Sequence, residues 1–291
     1  MKMDELFRVF QLNHNHRLTG LLVVISMLLF PSISHGGVLF ESSWNTATGT
    51  SDKAIFDGGK WTGGYGRHAP KQDPYVSAGG PGGNNFLNMV TVGDRGYGDG
   101  HYFNWKTYSS DVFGDPTNLY IRFYWRLHSD CVLEGPTKHW MGNYTQDAHY
   151  CSFNVKSGAP FAVEIQHYPD DSRWRLMVDL DLDVWYRWEV HIQEVTGGER
   201  WYIRLNGTDI TDKFYCLSGS RYGKWLQRFY DGGGKLRSDY HGGFWLTTYD
   251  MPSPLNQGWD VACIEVRDDR WPGPAVGDSI PPNPPTGVKV E

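Results

Sequence analysis

The sequence predicts an all-β chain folded as two stacked antiparallel sheets, and three observations carry this. Apolar and polar residues alternate with a period of two through much of residues 38–271, and no three-turn amphipathic pattern competes with them. Glycine, 35 of 291 residues, is scattered without a three-residue period, which suits frequent turns and excludes a collagen-like repeat. Ten or more strands of this kind cannot bury their apolar alternates in one layer, so two sheets must face each other. With 40% hydrophobic and 21% charged residues the chain can bury a core and is not a disordered polymer. Its formal net charge is −6 and no Lys/Arg cluster exceeds a pair, so the basic stripe that nucleic-acid binding requires is missing.

The elements follow in chain order. Residues 18–30, LTGLLVVISMLLF, form an uncharged run preceded by Lys2, Arg8 and Arg17 and followed by small residues to Gly36. Residues 1–36 therefore read as a secretory signal peptide, since the run is short for a membrane span. An uncleaved N-terminal anchor is the alternative. The expected location is outside the cytoplasm: secreted, periplasmic or at the cell surface, with no membrane span after cleavage. Strands are expected near 86–92, 101–106, 150–155, 161–168, 243–249 and 261–267. The clearest alternation runs from Tyr120 to His128, with Ile121, Phe123, Trp125 and Leu127 on one face. Opposite them lie Tyr120, Arg122, Tyr124, Arg126 and His128. Trp174 to Val184 is expected to form one long strand, with Asp179, Asp181 and Asp183 on its solvated face. Strands around Trp188–Ile192 and Trp201–Leu205 join through Thr196-Gly197-Gly198 as a hairpin. This alternation assigns Trp125, Trp174, Trp188 and Trp201 to the core, so the 13 tryptophans are not mainly ligand contacts.

Four cysteines, Cys131, Cys151, Cys216 and Cys263, form an even set in a compartment expected to be oxidising. Three pairings are possible, and Cys131 with Cys151 plus Cys216 with Cys263 is preferred because the first pair closes a short connection. No CxxC spacing supports zinc. Residues 276–291 form a Pro-rich linker that reads as an extended spacer. This segment resembles the opening of a fibronectin type III-like module.

A family resemblance rests on particular segments. The run from Asp183 to Thr211, DVWYRWEVHIQEVTGGERWYIRLNGTDIT, resembles the paired strands of the concanavalin A-like lectin/glucanase jelly-roll superfamily. The run from Trp259 to Pro274, WDVACIEVRDDRWPGP, is similar to the last strand of that superfamily, and VLFESSW at Val38–Trp44 to its start. The resemblance implies a two-sheet antiparallel jelly-roll sandwich over residues 37–275, closest in pattern to secreted polysaccharide-lyase-like proteins. It also implies that the outward face of one concave sheet holds a glycan. One such fold carries lectins, hydrolases and lyases, so activity must come from the site.

Candidate site residues follow from that resemblance. Arg122 and Arg126 with Tyr124 between them resemble the R-x-E-x-R strand of alginate-lyase-type enzymes, with the middle acid replaced. A guanidinium fork suits a uronate carboxylate. Glu164, Gln166 and Tyr168 share a face in FAVEIQHY, which resembles both the Q-I-H strand of such lyases and the E-I-D-x-x-E strand of laminarinase-type glucanases. Of the glucanase acids only Glu164 survives, which argues against paired-carboxylate hydrolysis. His139 and Tyr249 are the acid/base candidates for a lyase. Trp245, with Tyr120 and Tyr124, is a candidate for stacking on sugar rings. Asp94 and Asp99 in the loop GDRGYGDG are candidates for a structural calcium ion; no other cofactor is required.

The expected function is thus an exported protein that binds polysaccharide, preferentially acidic, without cleaving it. A polysaccharide lyase acting by β-elimination on a uronate-containing glycan is the first alternative. A structural surface-display module is the second. Oligomeric state is not written in the sequence.

Overall fold

The computed structural model describes residues 36–61, 74–93, 103–104, 117–129, 137–142, 150–156, 162–168, 172–177, 180–195, 198–218, 244–249 and 255–278. The chain divides after Gly36, and all that follows concerns the unit Gly37–Glu291. Period-two segments become strands: β1 Val38–Ser42, β2 Tyr75–Ser77, β3 Phe86–Gly93, β4 Phe103–Asn104 and β5 Asn118–Leu127. There follow β6 Thr137–Gly142, β7 Tyr150–Lys156, β8 Ala162–Tyr168, β9 Ser172–Met177 and β10 Tyr186–Val195. The last are β11 Gly198–Leu205, β12 Thr208–Asp209, β13 Tyr215–Ser218, β14 Phe244–Tyr249 and β15 Leu255–Arg267.

Among the described residues these strands build two antiparallel sheets. The first runs β12-β11-β10-β5-β15-β3-β2, with β1 added beside the second half of β15. The second runs β13-β9-β8-β7-β6-β14-β4. Their apolar faces form one core, in which Ile121, Phe123, Trp125, Leu127, Trp188, Val190, Ile192 and Trp201 come from the first sheet. Val163, Ile165, Leu176 and Leu246 come from the second. Trp125, Trp188 and Trp201 are buried as expected, 4% exposed or less. Asn206-Gly207 forms the turn between β11 and β12, and both residues take positive φ.

The long strand expected from Trp174 to Val184 is shorter. It ends at Met177. Leu180 is buried, and Asp183 takes a left-handed φ of 60° in a turn. There its amide donates to the Leu127 carbonyl at 2.7 Å, while its carboxylate accepts from the Ser129 amide. Asp183 therefore shapes a tight turn, a role aspartate performs through its short acceptor side chain, and is not a solvated strand position.

The expected Cys216–Cys263 disulfide is also absent. Cys216 lies on β13 of the second sheet, whereas Cys263 lies on β15 of the first and is a buried thiol whose Sγ contacts the Pro81 carbonyl. Burial pushes the Cys263 thiol up to about 11, so it stays protonated and unreactive. Cys131 lies outside the described residues, as do Asp94, Asp99, residues 1–35 and the segment from 279 onward.

The centre of the first sheet's outward face is itself buried: Arg122, Tyr124, Glu189 and Asp260 are 6% exposed or less. After β15 the chain turns back, and residues 268–278 run as a strap over β5. The polar residues of that face supply what the strap needs. Arg122 donates from Nε to the Cys263 carbonyl and from Nη1 to the Gly273 carbonyl, both at 3.1 Å, and pairs with Glu265 at 2.9 Å. Glu189 accepts from the Gly273 amide at 3.1 Å. The Tyr124 hydroxyl accepts from the Ala275 amide at 3.0 Å and donates to the Asp278 carboxylate. Burial and that carboxylate hold the phenol well above its ordinary range, so it remains a donor.

Ladder pairing strings the charges of this face into one row across six strands: Glu41, Glu265, Arg122, Glu189, Arg204, Asp209. In the next row Tyr120, His191 and Tyr202 stack, with ring centroids 4.0 and 5.2 Å apart. Trp271 of the strap meets Tyr120 and His191 edge-on, and Arg204 lies over its ring. Nearer the other end, Asp260 is fully buried and accepts from Arg126 Nε at 2.7 Å and faces His128 at 2.9 Å. Arg126 sits against the rings of Phe86 and Trp185.

Two outcomes follow from the strap. Tyr124→Phe strands the Ala275 amide in a buried setting and takes one donor from the Asp278 carboxylate, so it should cost about 1–3 kcal/mol. Chemical denaturation checks this, and an unchanged midpoint would contradict the arrangement. His191 is pushed down to about 4, first by burial and then by the Arg204 charge. It is neutral in the folded chain but gains a proton in the unfolded chain below about pH 6.5. Its contribution to stability is therefore complete above about 6.5, is lost as pH falls toward about 4, and changes no further below that. Melting temperatures of the wild type and His191→Gln across that window should diverge in slope.

Candidate functional site

The outward face of the second sheet carries the remaining sequence candidates of β6, β8 and β14. Val163 and Ile165 of β8 are buried in the core, so Glu164, Gln166 and Tyr168 occupy positions of the opposite face. Residues paired across an antiparallel ladder share a face. Through those pairs one row crosses six strands: Tyr215, Arg175, Glu164, Asn154, Lys138, Tyr249. The neighbouring row holds Arg173, Gln166, Ser152, Met141, Trp245 and Asn104. At about 4.8 Å per strand the first row extends about 24 Å.

At the centre of this face Glu164 is 1% exposed and accepts from Arg175 Nη2 at 2.9 Å and Nε at 3.3 Å. A buried carboxylate needs such a partner, because desolvation without pairing costs several kcal/mol. The Arg175 side chain is 25% exposed, so the pair joins the interior to the surface. The two rows place three cationic residues, Lys138, Arg173 and Arg175, beside one carboxylate, in a chain whose net charge is −6.

The sequence candidates divide between the two sheets. Glu164, Gln166, Trp245 and Tyr249 fall in the two rows of the second sheet, and Tyr168 lies one pleat beyond, paired with Tyr150. His139 sits at the bulge between Lys138 and Trp140 of β6, and a second irregularity on β14 precedes Tyr249. These bulges bring His139, Lys138 and Tyr249 to adjacent positions of two strands, the local rearrangement that bulges produce. Arg122, Tyr124 and Arg126 are elsewhere. They lie on the strapped face of the first sheet, with Arg122 6% exposed, Tyr124 fully buried and Arg126 held by Asp260. Arg122 and Tyr124 bind the chain's own residues 273–278, and Arg126 faces Asp260, Phe86 and Trp185.

Sequence reasoning did not single out Arg175, Arg173, Lys138, Asn154 or Tyr215. The alternation in SRWRLM shows Arg173 and Arg175 on one side of their strand, but their pairing with Gln166 and Glu164 depends on register. The two rows contain one carboxylate, so paired-carboxylate hydrolysis lacks a second acid there. Among the described residues no group of three or more His, Cys, Asp or Glu is placed to hold a metal ion.

The fold is a two-sheet antiparallel jelly-roll sandwich. No family model and no curated protein matches the chain. Among solved structures, the cellulose induced protein Cip1 aligns over 81% of this chain and 100% of its own, at 14% identity with a TM-score of 0.54. The catalytic domain of a GH131 beta-glucanase from Podospora anserina covers 83% of this chain and all of its own at 14% identity, with a TM-score of 0.44. An alginate lyase, vAL-1 from Chlorella virus, covers 76% and 98% at 13% identity, with a TM-score of 0.41. At these identities the likeness concerns the fold alone, and it rests on Cip1.

The central pair makes its own prediction. Arg175→Met takes the guanidinium from the buried Glu164 and should cost about 2–3 kcal/mol, whereas Glu164→Met with Arg175→Met together should cost less than the sum of the two single changes. Additive losses in the double variant would show that the two side chains do not depend on each other.

Proposed function

We propose that the outward face of the second sheet binds an acidic polysaccharide, outside the cytoplasm, without cleaving it. The supporting observation is the gathering of the Lys138, Arg173 and Arg175 positions around one carboxylate, on a face that also carries Trp245, Tyr215 and Tyr249. Cations attract an acidic chain and amides such as Gln166 and Asn154 supply neutral hydrogen bonds, while aromatic faces stack on sugar rings. The likeness to Cip1 in fold is consistent with this reading. The apolar run at residues 18–30 supports export.

Retention on immobilised alginate, glucuronan and heparin, compared with a neutral β-glucan, tests the reading. The acidic polymers should be retained, with affinity falling as salt rises. Lys138→Ala and Arg173→Ala should each weaken retention about 3- to 10-fold, the loss of one charge-assisted contact. Equal retention of neutral and acidic polymers, or no effect of either substitution, would refute it.

One observation favours a second reading. Tyr249 is the register partner of Lys138, and His139 occupies the adjoining bulge, so residue types able to move a proton lie together on β6 and β14. A lyase would use them for β-elimination. Ultraviolet absorbance of an unsaturated uronate product, lost in Tyr249→Phe, would establish that reading; a flat trace with intact retention leaves binding alone.

A further inference from the structure

We propose that the chain is cut between Gly36 and Gly37 on export, and that the α-ammonium so created is bound by the Asp268 carboxylate. This rests on the export part of the reading above and deepens it to one peptide bond and one receiving residue.

Two separate observations converge on this bond. The first lies in the sequence. Shortly after the apolar run 18–30 comes Ser34-His35-Gly36, which puts small residues first and third before the cut, the pattern that export peptidases accept. The second lies in the fold. The compact unit begins at Gly37, whose nitrogen donates to Asp268 Oδ1 at 2.6 Å. Val38 pairs with Arg267, so Gly37 stands opposite Asp268 at the end of the β1–β15 ladder. There the Asp268 amide donates to the Gly37 carbonyl at 3.3 Å. In a regular antiparallel pair the second bond would return to the partner's backbone carbonyl. Gly37 gives it to the side chain instead, so a carboxylate sits where the chain would start.

That carboxylate has a charge to match. Among the described residues, Glu265 and Asp269 on either side pair with Arg267, and Asp269 also with Arg270, whereas no Lys, Arg or His pairs with Asp268. Hydrolysis of the Gly36–Gly37 bond supplies the missing cation. One water is consumed, Gly36 leaves with a carboxylate, and Gly37 keeps the nitrogen as a primary amine. Free α-amino groups titrate near about 7.7–8.0, so this amine is protonated at neutral pH. An ammonium brings three N–H donors where the amide has one, and its bond to a carboxylate is charge-assisted. Glycine, without a side chain, leaves those donors unobstructed. Processing therefore turns a hydrogen bond at the start of β1 into an ion pair.

The full chain expressed in a secreting host tests both halves. Mass spectrometry and N-terminal sequencing of the exported protein should give Gly37 as the first residue. Inserting one alanine between Gly36 and Gly37 makes the Gly37 nitrogen an amide again and moves the ammonium one residue away. The exported variant should melt about 1–3 °C lower than the native chain, the size expected of a partly exposed pair. Asp268→Asn should lower the melting temperature by a similar amount, and adding the insertion to it should cost nothing more. An exported chain that starts at another residue, or keeps residues 1–36, overturns the proposal and leaves export in place. Equal melting of the native and inserted chains overturns the ion pair even where Gly37 is first. A chain retained in the cytoplasm overturns export itself, and with it the proposal.

Discussion

The structure depends on the burial of the first sheet on one face and at the centre of the other. One face packs against the second sheet, as in any sandwich, but the centre of the outward face is covered by the chain's own residues 268–278. Burying that face creates a demand: every polar group on it must find a partner inside the protein. Arg122, Glu189, Tyr124 and Asp278 meet the demand by binding the strap backbone or one another. The strap in turn has no regular ladder of its own, so its amides and carbonyls rely on those side chains. Sheet and strap satisfy each other's hydrogen bonds, and neither is complete alone.

The strap takes up side chains that the sequence alone presents as candidates. The strapped face contains the more conspicuous sequence pattern, two arginines flanking a tyrosine, yet its members are occupied. The second sheet has less obvious strands, and its cations are dispersed over β6 and β9. Pairing collects them. A site built by register is assembled from residues that look ordinary in each strand separately.

Legibility in the sequence follows the range of the interaction. Alternation within a strand is local, so β5, β10, β11 and the burial of Trp125, Trp188 and Trp201 are readable from the order of residues alone. The same signal places the Glu164, Gln166 and Tyr168 positions on one face of their strand. It fails from Leu180 to Asp183, where apolar and acidic residues still alternate but Asp183 bonds into a turn instead of continuing the strand. It also does not say which outward face stays open, because the covering strap lies more than 140 positions from Arg122 in sequence. The pairing of Cys216 with Cys263 fails for a related reason: an even count of cysteines says nothing about which sheet each joins. Arg175 is visible as a polar residue, but its bond to Glu164 needs the β8–β9 ladder.

The charged row under the strap has a consequence for how the chain finds its fold. Hydrophobic alternation distinguishes a correct register from a slip of one residue, which would turn the apolar face outward. It is blind to a slip of two, which keeps every side chain on its proper face. The charges are not blind to it. In the native ladder Arg122 faces Glu189 on β10 and Glu265 on β15. Sliding either neighbour by two in one direction would set Arg187 or Arg267 against Arg122, and sliding β10 in that sense past β11 would set Arg187 against Arg204. Like charges would then be driven together in a partly buried setting. The row acts as a proofreading code for strand alignment, written in a period that the core cannot read.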